Sequence, residues 1–171
     1  MIKKNILIIS ATSRKNLKLA ENIKKCIDIN LINISLINLE DYNIPLFTED
    51  FFDENKLQYL DEVKSITEKF INADGIIICG PEYNGSLPPI INNTIAWIST
   101  STKYWRDAFA DKIGLLCSHS GGPGTKFIFA MKMQLEHLGM TIIHRNITVN
   151  DAKSFNPESA KKILKQFINL L

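Results

Sequence analysis

The run Gly80-Pro81-Glu82-Tyr83-Asn84-Gly85-Ser86-Leu87-Pro88-Pro89 carries the parts needed to seat a planar ring. Tyr83 offers a flat apolar wall for stacking. Asn84 and Gly85 tolerate left-handed backbone, so their amides can turn outward as donors. The same residues would equally build a plain turn around a satisfied tyrosine. The Glu82 carboxylate suits either a brace for the loop or a ligand contact. A second stretch, Ser10-Ala11-Thr12-Ser13-Arg14-Lys15-Asn16, combines three hydroxyls, the amides of a helix start and an arginine. Those groups make an anion site, with a phosphate monoester as the fitting guest. Hydroxyl caps of an ordinary helix are the competing reading. Arginine is scarce, with Arg14, Arg106 and Arg145 set against 17 lysines, so an arginine in such a loop stands out. A third stretch, Cys117-Ser118-His119-Ser120-Gly121-Gly122-Pro123-Gly124, lets backbone approach a ligand closely. His119 is a possible polar partner there, although a loop histidine is more often simply solvated.

Each of these stretches follows an apolar run of strand length. In chain order, Ile6-Leu7-Ile8-Ile9 precedes the first loop, Ser10 to Asn16, Gly75-Ile76-Ile77-Ile78-Cys79 precedes the second, Gly80 to Pro89, and Lys112 to Ser118 leads into the third, Cys117 to Gly124. Such short continuous runs fit strands buried on both faces, the first of them central. Leu31 to Leu39 is a further strand, with Ile32, Ile34 and Leu36 opposed to Asn33 and Ser35, which suits a sheet edge. Met140 to Val149 is a fifth strand. Between them lie helical patterns. Leu19, Ala20, Ile23, Cys26 and Ile27 mark the first helix, and Leu57, Leu60, Val63, Thr67, Phe70 and Ile71 the second. The third runs from Pro88 to about Ser101, with prolines tolerated in its first turn. Thr125 to Leu138 is the fourth, with Ile128, Met131, Leu135 and Leu138 on one face and Gly139 as its stop. Asn156-Pro157-Glu158 starts the last, whose apolar face is Ala160, Ile163, Leu164, Phe167, Ile168 and Leu171. Asp41 to Asp53 is expected to be a long loop, and Thr102 to Asp111 a connection of undefined form. Alternating strands and helices imply an α/β fold with a parallel, doubly wound sheet. In such a sheet, loops at the strands' C-terminal ends line the ligand crevice.

A length of 171 residues suits one domain spanning 1–171. The net charge of +2 comes from dispersed basic residues, and no nucleic-acid or membrane footprint emerges. Met1-Ile2-Lys3-Lys4 has the charge of a signal peptide, but the apolar segment after it is too short, so a cytoplasmic location is expected. Cys26, Cys79 and Cys117 are odd in number and widely spaced, indicating neither a disulfide framework nor a zinc site. The Asn-x-Ser/Thr triplets at Asn33, Asn84, Asn92 and Asn146 are chance matches in an asparagine-rich chain. Gly124-Thr125-Lys126 reverses the order a P-loop needs, no Gly-x-Gly-x-x-Gly follows a strand, and a Gly-x-Ser-x-Gly elbow is missing. His137 and His144 fall in helix and strand patterns and are read as structural.

The Pro81-Glu82-Tyr83-Asn84-Gly85-Ser86 string, after a buried strand and before Pro88-Pro89, resembles the signature of the NADPH-dependent FMN reductases. The resemblance runs through nearly the whole chain in element order. It implies a flavodoxin-like three-layer αβα sandwich with five parallel strands in the order 2-1-3-4-5. It further implies FMN as a non-covalent cofactor and NADPH or NADH as co-substrate. Hydride would be taken onto the flavin, and a second acceptor reduced in ping-pong order: a quinone, an azo or nitro compound, a metal oxyanion or free flavin. The cofactor carries such chemistry, so no catalytic side chain is assigned. By the same resemblance, Ser10, Thr12, Ser13, Arg14 and Asn16 hold the phosphate. Pro81, Glu82, Tyr83, Asn84 and Gly85 border the ring. Ser118, His119, Ser120, Gly121 and Gly122 lie along its pyrimidine edge, where a protonated His119 would balance the charge of reduced flavin. Ala11 stands where the family has glycine, and the interval from Arg14 to Asn16 is short. The family also implies a homodimer or homotetramer, with Trp97, Tyr104, Trp105 and Phe109 either in the contact or in the core. A flavodoxin-like electron carrier or a redox sensor is the rival reading. Arg14 in the first loop and a pI of about 8.4 speak against the carrier.

Overall fold

The computed structural model describes residues 3–30 and 32–171, and the side chains of all of these except 51–60. Met1, Ile2 and Leu31 therefore lie outside the described residues, as do the side chains of Leu57 and Leu60.

The apolar runs become strands β1 (Lys4–Ser10), β2 (Ile32–Asn38), β3 (Gly75–Cys79) and β4 (Ile113–His119). All pairings are parallel, in the order β2-β1-β3-β4. The expected fifth strand is two pieces, β5 (Thr141–Ile142) and β6 (Ile147–Val149), both on β4. This corrects the continuous Met140–Val149 strand. The order 2-1-3-4-5 otherwise stands.

Helices α1 (Lys15–Lys25) and α5 (Pro157–Ile168) cover one face of the sheet. Helices α2 (Glu49–Ile71), α3 (Pro89–Ser101) and α4 (Thr125–His137) cover the other. The two-residue period of a strand divides the core accordingly. Leu7 and Ile9 of β1 pack beneath α2–α4, while Ile6 and Ile8 pack beneath α1 and α5.

Three further expectations are corrected. Helix α2 begins at Glu49, so the loop read as Asp41–Asp53 shrinks; a 3-10 turn at Leu39–Asp41 shortens it from the other side. Ile71, read on that helix's apolar face, is 45% exposed, and Ile66 is buried there instead. His144 is exposed in the break between β5 and β6, where no strand forms.

The 102–111 connection consists of turns and a bend, and it sends Phe109 fully into the core against Phe70, with ring centroids 5.4 Å apart. Trp97 is also buried, and its Nε1–H donates to the Pro45 carbonyl at 2.9 Å. Of the four aromatics weighed for a subunit contact, Trp97 and Phe109 belong to the core, and Tyr104 and Trp105 are exposed.

Candidate functional site

Parallel register sets Ser10, Cys79 and Cys117 abreast at the C-terminal ends of β1, β3 and β4. The three unusual loops therefore leave the sheet side by side, and hydrogen bonds tie them together. Ala11 N–H donates to the Cys79 carbonyl at 2.8 Å, and Gly80 N–H to that of Cys117 at 3.1 Å. Asn16, almost fully buried, spans from the first loop to the third. Its Nδ2 donates to the His119 carbonyl at 3.0 Å, and its Oδ1 accepts from the His119 N–H at 2.8 Å. Both functional groups of this amide are thus engaged by one backbone unit.

The second loop is bound to the third in the same manner. Glu82 N–H donates to Ser120 Oγ at 2.8 Å, and Ser120 Oγ lies 2.8 Å from Ser118 Oγ. Helix α4 has Gly124 at its N-cap and therefore no capping side chain of its own. Glu82 supplies the missing acceptor from a distance, with Oε2 taking the Lys126 N–H at 3.1 Å. A carboxylate at a helix N-terminus also suits the helix dipole. The brace reading of Glu82 accordingly has its partner.

The tip of the second loop is a two-residue hairpin turn. Tyr83 and Ser86 exchange backbone hydrogen bonds at 3.1 and 2.9 Å. Asn84 and Gly85 both have positive φ, 49° and 74°, as a type I′ turn demands. Tyr83 is left 49% exposed beside a recess.

That recess has a volume of about 430 Å³ and is lined by residues of all three loops. Small-molecule sites span roughly 300–1,000 Å³. Thr12, Ser13, Arg14 and Asn16 line one end, while Pro81, Glu82, Tyr83, His119, Ser120 and Gly121 line the rest. Five of the residues expected to touch a ligand do not line it. Ser10 and Ser118 are fully buried in the loop frame, with Ser10 Oγ donating to the Thr12 carbonyl at 2.8 Å. Asn84 and Gly85 form the hairpin tip, and the Gly122 carbonyl accepts from Asn150 Nδ2 at 3.3 Å. Two lining residues were absent from the sequence-based set, Lys15 and Glu40. Glu40 follows β2, whose C-terminal end reaches this same rim. Strand order holds the clue to it, but no local motif does.

The end of the recess at Arg14 has the character of an anion site. Helix α1 starts at Arg14 with no side-chain cap, and the exposed Arg14 guanidinium makes no ion pair among the described residues. Uncapped helix amides and a guanidinium together attract phosphate. At the other end, Gly121 has nothing within 4 Å of where a Cβ would stand, so that edge is open to a guest. An exposed aromatic wall, a guanidinium at an uncapped helix start and an unobstructed glycine edge fit FMN.

Without flavin, the surroundings of His119 disfavour its charged form. Burial pushes its pKa below 6.5, the positive charge of Lys15 adds to the shift, and Asp151 and the Lys15 backbone oppose it. The sign is that of a base whose cation is disfavoured by its surroundings. Titration of the His119 ring by NMR in the flavin-free protein is expected to show a midpoint below 6.5, and a higher midpoint would contradict that direction.

Comparison with known proteins bears on the family and the fold. Residues 4–154 match the profile of the family described as NADPH-dependent FMN reductase. An uncharacterized MG342 homolog of Mycoplasma pneumoniae is 28% identical over 118 residues, covering 68% of each chain. An NADPH:quinone oxidoreductase of Arabidopsis thaliana is 29% identical over 105 residues, 60% of this chain and half the length of that relative. Among solved structures, the flavoenzyme NAD(P)H:(acceptor) oxidoreductase FerB of Paracoccus denitrificans superposes with a TM-score of 0.76 at 17% identity. That superposition covers 98% of this chain and 96% of the other.

Proposed function

Because the chain belongs to the NADPH-dependent FMN reductase family, whose members use FMN with NAD(P)H as co-substrate, we propose that it passes electrons on to a small-molecule acceptor in ping-pong order. The observation that carries this reading is the meeting of three loops around one recess that has Tyr83 at its wall and Arg14 at its anion end. FMN, when bound, supplies the hydride and electron transfer. The chain's own residues bind and orient. Thr12, Ser13, Arg14 and the start of α1 hold the phosphate. Tyr83 lies along the ring, and His119 with Gly121 borders its polar edge. Asn16, Glu82 and Ser120 work one step back, fixing the three loops relative to one another. The exposed side of Tyr83 leaves room for nicotinamide and acceptor to use one open face in turn. A quinone is the first acceptor to try, because the Arabidopsis relative bears that activity in its name. Azo and nitro compounds, metal oxyanions and free flavin follow.

The decisive experiment is the absorption spectrum of the FMN-loaded protein under anaerobic conditions, before and after NADPH. Rapid bleaching, then recovery on adding a quinone, with parallel lines in initial-velocity plots, is the expected result. A spectrum that NADPH leaves unchanged would refute enzymatic reduction and favour the carrier. Arg14→Ala is expected to weaken FMN binding by about 1.5–3 kcal/mol, the scale of a charged hydrogen bond. Flavin fluorescence titration would read this as about 10- to 150-fold in Kd, and an unaltered constant would remove Arg14 from the site.

We further propose that the protein is a homodimer or homotetramer working in the cytoplasm. Phe129 and Met133, one turn apart on α4, are 67% and 71% exposed, which suits a face covered by a second copy. No helix among the described residues is long and apolar enough to cross a membrane.

A further inference from the structure

Ser13 sits where the first loop meets the start of α1, and its donors are already occupied. Its backbone N–H donates to Glu40 Oε2 at 2.7 Å, and its hydroxyl donates to the same oxygen. Asn38, buried at the end of β2, holds the pair in place. Its Nδ2 donates to Ser13 Oγ at 3.0 Å and to Asp41 Oδ1 at 2.8 Å, while its Oδ1 accepts from the Glu40 N–H. A carboxylate from a different strand end thus takes a backbone amide and a hydroxyl that line the recess. These are the two kinds of donor a phosphate oxygen needs. Among the described residues no ion pair links Glu40 to Arg14, so the guanidinium stays free for another anion. Glu40 is itself exposed, and its side chain can swing out without disturbing the core.

We propose that Glu40 is a resident anion of the phosphate subsite, which leaves Ser13 when a phosphorylated flavin enters and so sets the preference between FMN and riboflavin. The inference rests on the flavin reading of the recess. Its logic is electrostatic. A phosphate dianion and a carboxylate repel one another at hydrogen-bonding distance from the same donors. FMN must therefore expel Glu40 before it can use Ser13. Riboflavin has no phosphate and leaves the Glu40–Ser13 contact intact. The family's phosphate loop is built to hold FMN, and here a carboxylate competes for part of it. The cofactor is consequently held less tightly than the loop alone would allow, and it exchanges.

The test is titration of the flavin-free protein and its Glu40→Gln and Glu40→Ala variants with FMN and with riboflavin, followed by flavin fluorescence. Both variants are expected to bind FMN about tenfold more tightly than the wild type, a gain that shrinks as salt screens the lost repulsion. Riboflavin affinity is expected to stay the same within about twofold, since no charge is brought to the subsite. Equal FMN affinity in all three proteins, weaker binding in the variants, or a matching gain for riboflavin would overturn the role of Glu40 while leaving the flavin site intact. If neither flavin binds any of the three proteins, with circular dichroism showing all of them folded, the flavin reading fails and this proposal fails with it.

Discussion

Phe127→Ala is expected to lower the free energy of unfolding by about 3–5 kcal/mol, the cost of emptying a buried aromatic site. Phe127 lies in the first turn of α4, is fully buried, and presses its ring on Gly80, which opens the second loop. A Cβ built on Gly80 would stand 2.5 Å from a ring carbon, so the glycine is what lets the ring come so close. The ring is thus a floor under the loop as well as a core residue. Urea unfolding should show the midpoint falling with its slope unchanged. A loss below about 1 kcal/mol would mean that the neighbours collapse into the space and that the floor is not needed.

The second large effect is expected at Asn16. Asn16→Leu keeps the side chain's bulk and removes both of its polar groups. The N–H and carbonyl of His119 then lose their partner in a half-buried setting. Each unsatisfied group costs about 1–3 kcal/mol, so a total of about 2–6 kcal/mol is expected for the two. The specific signature is local. Hydrogen exchange at the His119 amide should accelerate more than at the preceding β4 amides, and FMN affinity should fall because the first and third loops are no longer fixed to each other. Uniform acceleration across β4 would instead mean that Asn16 contributes to general stability alone.

Much of the fold was legible because its signals are local. Five apolar runs separated by helical periods define a doubly wound sheet, and the turn chemistry of Asn84-Gly85 announces the hairpin tip that forms. The recess was legible for a related reason: residues with no purpose in a plain connector follow three buried strands. What escaped depends on partners distant in sequence. Glu82 caps a helix start 44 residues away, and Glu40 reaches back 27 residues to Ser13, neither of which leaves a local pattern. Ser10 and Ser118 are implied as ligand contacts by the family resemblance alone, and both are fully buried, at the ends of β1 and β4. The continuous strand expected at Met140–Val149 fails for a countable reason. Thr141–Ile142 pairs with Ile113–Gly114, and Ile147–Val149 pairs with Cys117–His119. Two residues of β4 therefore face four on the outer side. Those four include His144-Arg145-Asn146, a polar triplet that marks the break.

That interruption matters beyond the fold's outline. An unbroken outer strand presents a row of spare amides and carbonyls that can template an incoming chain. On this side of the molecule the row is two residues, a bulge and three residues, too short and too bent to extend into a neighbour. β2, seven residues without a gap, is left as the margin at which strand-on-strand aggregation would begin. Protection against misassembly is therefore lopsided, with the border beside the third loop sealed by its own irregularity.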